Sequence, residues 1–314
     1  MLTVGSRRWL LAALVVAAAA AVGCGGQEPK LSAGPAVLPV SHLKSGQGSI
    51  APATPADYRA PIAAYRRHVA RALRRMGGDV RDLRRAVTIQ DLGAARSAWR
   101  TANARYQTVG AAYGAFGALD RAIDGSTAGL PRGAHDPRFK GLHRVELALF
   151  GRGSIADARR PADQLARSVA RLRASLGDLR IDPLEYSLRA HEIIEDTLHE
   201  QLTGQASPWS GAAFDAVDAN VRGTRVVLRT LTPLLRHRAP ARLVQAEQSL
   251  SELQHALGPL RRGDRYVTLG RASPGERARV SALTADAAER LAYVPEVIDP
   301  RPARAIRNPF GETR

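Results

Sequence analysis

His143 and Glu146 stand one helical turn apart, and they are the pair in this chain best suited to hold a cation. At 100° per residue, Leu142, Val145, Leu149 and Phe150 form the apolar stripe of their helix, with Glu146 inside it and His143 at its edge. A carboxylate on a buried face needs compensation. Glu146 is therefore expected to meet a cation such as one of the many arginines, a hydrogen-bond donor or, with His143, a shared metal ion. A second cluster runs from His191 to His199. Ala190, Ile193, Ile194 and Leu198 form its stripe, and Glu195 and His191 lie on the border. Glu195 is the expected inward ligand, with His191 behind it, while Glu192, Asp196 and His199 are expected on a solvated face. Asp120 and Asp124 are four residues apart on one helical face and repel unless something neutralises them. A cation does so, or Arg121 does, or Asp124 serves as a helix-end or loop cap. Together, three helices offer an imidazole and several carboxylates, the donors with which helical bundles hold iron, manganese or zinc.

The elements that must position these residues read as helices. Periodic patterning begins near Tyr58 and runs over Ala60–Met76, and Gly77-Gly78 is the expected stop. A short segment over Asp79–Val87 and a longer one from Asp91 to about Tyr113 follow. Gly125–Pro137 reads as a loop. Further helices are expected at Arg138–Phe150, Pro161–Leu179, Pro183–Leu202, Ser210–Leu235, Pro240–Leu260 and Pro274–Leu291. Pro161, Pro183 and Pro274 each stand where a first helical turn tolerates proline. Strand-like alternation is nearly absent, and aromatics make up only 5% of the chain. The fold class is all-α, with an irregular tail over 295–314.

The N-terminus carries a different message. Arg7 and Arg8 precede an apolar run from Trp9 to Gly23, and Ala21-Val22-Gly23 sit directly before the single cysteine, Cys24. This is the layout of an export signal over residues 1–23, and its apolar run of 15 residues is too short for a membrane span of about 20. The lone cysteine at the cut site resembles the lipobox of bacterial lipoproteins, which makes Cys24 the expected lipid attachment point. Ser6-Arg7-Arg8-Trp9-Leu10-Leu11 resembles a twin-arginine signal, and the general secretory route fits the apolar run as well. Residues 24–57, rich in Gly, Pro, Ser and Ala, read as a tether. With Cys24 committed to lipid, any metal site must use histidine and carboxylates. The 46 Lys+Arg against 29 Asp+Glu give a net charge of +17. Such an exported protein is drawn to anionic headgroups or cell-wall polymers. No aromatic-interleaved basic motif argues for nucleic acid.

The segment Gly141-Leu142-His143-Arg144-Val145-Glu146-Leu147-Ala148-Leu149-Phe150 is similar to the G-F-H-R-I-E-x-x-L-W segment of the imelysin-like domain in EfeO/EfeM lipoproteins. Ala115–Asp124 resembles their A-F-G-D-L-D-P-A-I-D, and Leu202-Thr203-Gly204 resembles their I-T-G. Phe214-Asp215 and Ala219–Gly223 resemble their D-F-x-A-N-V-E-G. The similarity runs in order from about residue 60 to 292. It implies an all-helical domain of two bundle-like halves, here over 58–294, in the short form that lacks a cupredoxin domain. It implies an iron-uptake component that works with a membrane iron permease and a haem peroxidase. By the same resemblance His143, Glu146 and Asp124 are metal residues, with Glu195 for the later helix glutamate. One departure stands out. The family's Y-E-R-I-E reads Tyr106-Gln107-Thr108-Val109-Gly110 here, so two carboxylates are gone and Asp120 is a candidate replacement.

Three functional readings follow. The first is a lipid-anchored iron-binding protein that passes its ion to a permease. The second is a scaffold without metal that binds anionic wall polymer or a membrane partner. The third is a metallopeptidase, against which stands the absence of H-E-x-x-H: His143 is followed by Arg144, and no histidine occurs four residues on.

Overall fold

The computed structural model describes residues 52–300. The export signal, Cys24, most of the tether and the last residues of the tail lie outside them. The described chain is helical apart from one small hairpin, as the periodicity predicts.

Helix α1 (Arg59–Thr88) is about 45 Å long at 1.5 Å per residue and does not stop at Gly77-Gly78. A Cβ at Gly77 would lie 2.9 Å from the tip of the flexible Arg173 side chain. Each glycine costs the helix about 1 kcal/mol relative to alanine. The buried stripe Tyr65, Val69, Leu73, Met76, Val80, Leu83 and Val87 outweighs that by spanning both sides of the pair. Helix α2 (Leu92–Gln107) starts on an Asp91 cap that accepts from the Ala94 amide. The short helices α3 (Tyr113–Phe116) and α4 (Ala118–Asp124) follow. Next come α5 (Leu142–Phe150) and α6 (Arg159–Ala174), which with α1 and α2 make the first helical group. The second group is α7 (Pro183–Asp196), α8 (Ala213–Arg238), α9 (Pro240–Leu257) and α10 (Pro274–Leu291).

These are the two bundle-like halves. They join where α1 and α2 pack on α8. One continuous core runs through both, with Trp99, Tyr58, Tyr65, Tyr106, Tyr186 and Phe214 among its largest fully buried side chains.

Three details differ from the sequence expectation. An antiparallel hairpin, β1 (Arg261–Arg262) with β2 (Arg265–Tyr266), interrupts the helices, and two-residue strands leave no periodicity to read. The α-helical part of Pro183–Leu202 ends at Asp196 and closes in a π turn, where the Leu202 amide donates to the Thr197 carbonyl. The helical body also extends past 294. Pro295 lies inside α11 (Tyr293–Val297), Ile298 is buried, and its carbonyl accepts from the Tyr58 hydroxyl. At the other end Ala53 is already buried.

Candidate metal centre

The site begins with a backbone constraint. Gly141 precedes α5 with φ +86°, a conformation that side-chain-bearing residues rarely adopt. A Cβ there would sit 2.3 Å from the Ile123 carbonyl oxygen. The chain thus enters α5 pressed against the end of α4. This places Asp124, the last residue of α4, beside His143, the second residue of α5. The Trp99 indole fixes the same turn from α2 by donating to the Leu142 carbonyl at 2.8 Å.

His143 is held on both sides. Its Nδ1 lies 3.1 Å from Glu146 Oε2, and its Nε2 lies 3.3 Å from Asp124 Oδ1. Burial opposes charge on this imidazole, but the adjacent Asp124 and Glu146 carboxylates outweigh burial and push its pKa up to about 10. At neutral pH the ring is an imidazolium clamped between two carboxylates. Glu146 is fully buried, and its other oxygen accepts from the Ser210 amide at 2.8 Å and the Trp209 amide at 3.2 Å. Of the partners open to it in the sequence, it takes no arginine. Its oxygens are occupied by the ring and by the entry to α8, so in this state Glu146 orients His143. A carboxylate on the far nitrogen of a metal-binding histidine is the usual orienting partner.

Asp124 is different. The His143 contact to its Oδ1 is not aligned as a hydrogen bond, so this buried oxygen has no hydrogen-bond partner. Oδ2 accepts from Gln107 at 3.5 Å. The Asp124 oxygens face a cleft of about 460 Å³ at the join of the two halves. Asp120 lines it too. Its Oδ1 accepts from the Tyr106 hydroxyl at 2.7 Å. Burial, helped by the charge of Asp124 and opposed by that hydrogen bond, raises its pKa to about 6. Asp196, Glu200 and Gln201 contribute from the second half, and the Gln201 Oε1 likewise has no hydrogen-bond partner. Burial raises the Glu200 pKa, and the charges of Asp196 and Asp124 add to it. Arg121 and Arg189 supply positive charge at the rim. Arg189 lies 3.3 Å from Glu192 and 3.6 Å from Asp196.

The fold therefore brings together Asp120, Asp124, His143 and Glu146. Glu195 is not with them. It is half exposed, pairs with His191 at 3.6 Å and does not line the cleft. Arg189, Ile193, Asp196 and Glu200, at spacings of four, three and four, form the opposite edge of the same apolar stripe. That edge faces the cleft. Periodicity identifies both edges of a helix stripe and is silent on which one meets the neighbouring helices. Asp196 belongs to the cleft for the same reason, although it pointed away by helical phase alone.

The two positions where the resembled family has glutamates are also explained. Gln107 is buried and reaches Asp124. Gly110 is buried too, and a Cβ on it would meet the Ile193 side chain at 3.1 Å. No group of three His, Cys, Asp or Glu side chains among the described residues is already set to hold a metal ion. His143 stands between Asp124 and Glu146 as a proton-carrying bridge. In chemistry the donor set fits a hard or borderline cation: carboxylates, an amide oxygen and one imidazole, two of the oxygens without hydrogen-bond partners.

Sequence comparison places this geometry in context. The chain is similar to the iron uptake system component EfeO of Escherichia coli O157:H7, of Escherichia coli K12 and of Shigella flexneri. Each is 24% identical over 237 residues, and the match covers 76% of this chain and 63% of each relative. It thus spans slightly less than two thirds of those proteins. A family model described as imelysin, peptidase M75, matches residues 61–294, from early α1 into α11 and including every residue of the cleft. The chain belongs to the imelysin family.

Proposed function

We propose that this protein is an extracytoplasmic component of an iron uptake system, which binds iron as cargo in the Asp120–Asp124–His143–Glu200 cleft and delivers it to a membrane permease. The observation that carries the reading is Asp124: a buried carboxylate oxygen without a hydrogen-bond donor, aimed into an acidic cleft beside an oriented imidazole. The similarity to relatives named as iron uptake components supports the cargo. Zinc and manganese suit the same donors.

Capture follows from the residues. A cation that enters the cleft is attracted by Asp120, Asp124, Asp196 and Glu200, and it takes the place of the proton that His143 carries. Glu146 keeps the ring in place through Nδ1 while Nε2 turns to the ion. Release needs no covalent chemistry, because reprotonation of His143 restores its pairing with Asp124. With Gln107 in place of a carboxylate, the site holds its ion by fewer charges, which suits a carrier that must let go. The signal over 1–23 and Cys24 put this carrier outside the cytoplasm on a lipid anchor, with a permease and a haem peroxidase as partners. The protein acts as a carrier and not as an enzyme. A zincin would present two histidines and a glutamate base to its metal, whereas this cleft has the single histidine His143.

Titration calorimetry of the full chain with iron, wild type against Asp124→Asn and His143→Ala, tests the proposal. The expected result is one site in the wild type and none in either variant. Equal binding by all three proteins would sink it.

A further inference from the structure

A second cavity lies apart from the acidic cleft and exceeds it in volume. It is a groove of about 780 Å³ between α1, α2 and α8, closed at one end by the β1–β2 hairpin. Nine arginines and three aspartates line it, and it shares no lining residue with the acidic cleft. Each helix gives a stripe at helical spacing, such as Arg71 and Arg75 on α1 and Arg222, Arg225 and Arg229 on α8. Like charges four residues apart repel, and here they face one another across a concave space. The aspartates are already used. Asp215 pairs with Arg100 at 3.1 Å, Asp218 with Arg222, and Asp264 with Arg265 at 3.4 Å. Arg71, Arg75 and Arg229 make no hydrogen bond or ion pair among the described residues.

A generally basic surface would spread its cations, whereas this groove gathers them in a concavity whose low-dielectric walls focus the field. The charges of Arg71 and Arg229 both reach His68, whose Nε2–H donates to the Thr108 carbonyl at 3.0 Å on the groove wall. Burial, and after it Arg261 and Arg105, lower the Arg222 pKa against the opposite pull of Tyr266. Arg100, Arg105, Arg222, Arg225 and Arg265 are ion-paired with carboxylates, so the positive potential that the protein leaves unpaired is that of Arg71, Arg75, Arg229 and Arg261. Guanidinium forks recognise phosphate and carboxylate oxygens in pairs, and the volume suits a small molecule.

We infer that this groove is a binding site for a multivalent oxyanion ligand bearing phosphate or carboxylate groups, engaged by Arg71, Arg75 and Arg229. The site goes beyond the iron-carrier reading and stands without it, since none of its residues belongs to the acidic cleft.

The test uses the purified full chain at low ionic strength with pyrophosphate and with citrate in calorimetry, and phosphatidylglycerol vesicles in a sedimentation assay. The groove variant is Arg71→Gln, Arg75→Gln and Arg229→Gln, three exposed positions without partners. The control removes the same charge from the exposed face of α6, with Arg160→Gln, Arg167→Gln and Arg171→Gln. Loss of charge-assisted bonds predicts that the groove variant weakens binding about tenfold or more and the control less than about twofold. Binding of a free anion assigns the ligand to solution. Binding of vesicles alone, lost in the groove variant, assigns it to a lipid headgroup. Equal loss in both variants, or no binding of any probe by the wild type, overturns the inference.

Discussion

The acidic cleft and the arginine groove are built from the same kind of helices in one strongly basic chain, yet the groups they leave without hydrogen bonds carry opposite charge. In the cleft the atom without a hydrogen bond is an oxygen of Asp124, whose one close contact is the protonated imidazole of His143. In the groove the partnerless groups are guanidiniums, and the aspartates are spent on neighbours. The net charge of +17 predicts a basic surface, but it neither locates the groove nor reveals the cleft. In the cleft a buried polar atom without a hydrogen bond is costly unless something arrives to meet it, whereas in the groove the exposed guanidiniums are marked by their concentration in a concave space.

The contrast breaks most sharply under substitution. His143→Ala with Asp124→Asn should reduce iron affinity by more than about a hundredfold, a larger loss than removal of an orienting partner brings. The same double variant should leave pyrophosphate binding in the groove unchanged by calorimetry. Glu146→Gln should cost about 10–100-fold in iron affinity through loss of the carboxylate that orients His143. If Glu146→Gln binds like wild type, Glu146 is only a structural buried acid. Gln107→Glu adds a charge beside Asp124 and should tighten iron about tenfold, in keeping with stronger hard-cation binding as ligand charge rises. Gly110→Glu, blocked by Ile193, should instead lower the melting temperature without improving affinity.

How much of this was legible beforehand divides along physical lines. Glu146 and His143 could be placed because helical phase puts a carboxylate inside an apolar stripe, and a buried charge must be answered. The all-helical class followed from periodicity in the same way. Glu200 was missed because the α7 stripe has two polar edges, and only tertiary packing tells the Glu195 edge from the Glu200 edge. Gly77-Gly78 suggested a stop because intrinsic propensity is local, whereas the packing of the buried stripe on both sides of the pair is not. The groove was invisible for a related reason: its arginines come from α1, α2, α8 and a two-residue-stranded hairpin, and no single stretch of sequence concentrates them.

Two smaller effects sharpen the comparison further. Glu200→Gln should weaken iron several-fold and Glu195→Gln less than about twofold, since an exposed pair such as Glu195–His191 contributes little. The reverse order would return Glu195 to the site. The pH dependence should also follow His143. Its folded pKa is raised above the ordinary 6.5 to about 10, so its stabilising contribution to the metal-free protein is complete below 6.5 and is lost as pH rises through about 10. Thermal melts of the metal-free chain should fall over that window, and the His143→Gln variant should lose this part of the dependence. A variant with an unchanged profile would show that the clamp is not charged.

The most direct test of the central claim is anomalous scattering at the iron absorption edge from crystals of the iron-loaded full chain. The account predicts a single strong peak in the cleft, bounded by Asp124 and by His143 Nε2 with Glu146 still on Nδ1. A peak elsewhere, or no peak with the His143–Asp124 pairing intact, would contradict it.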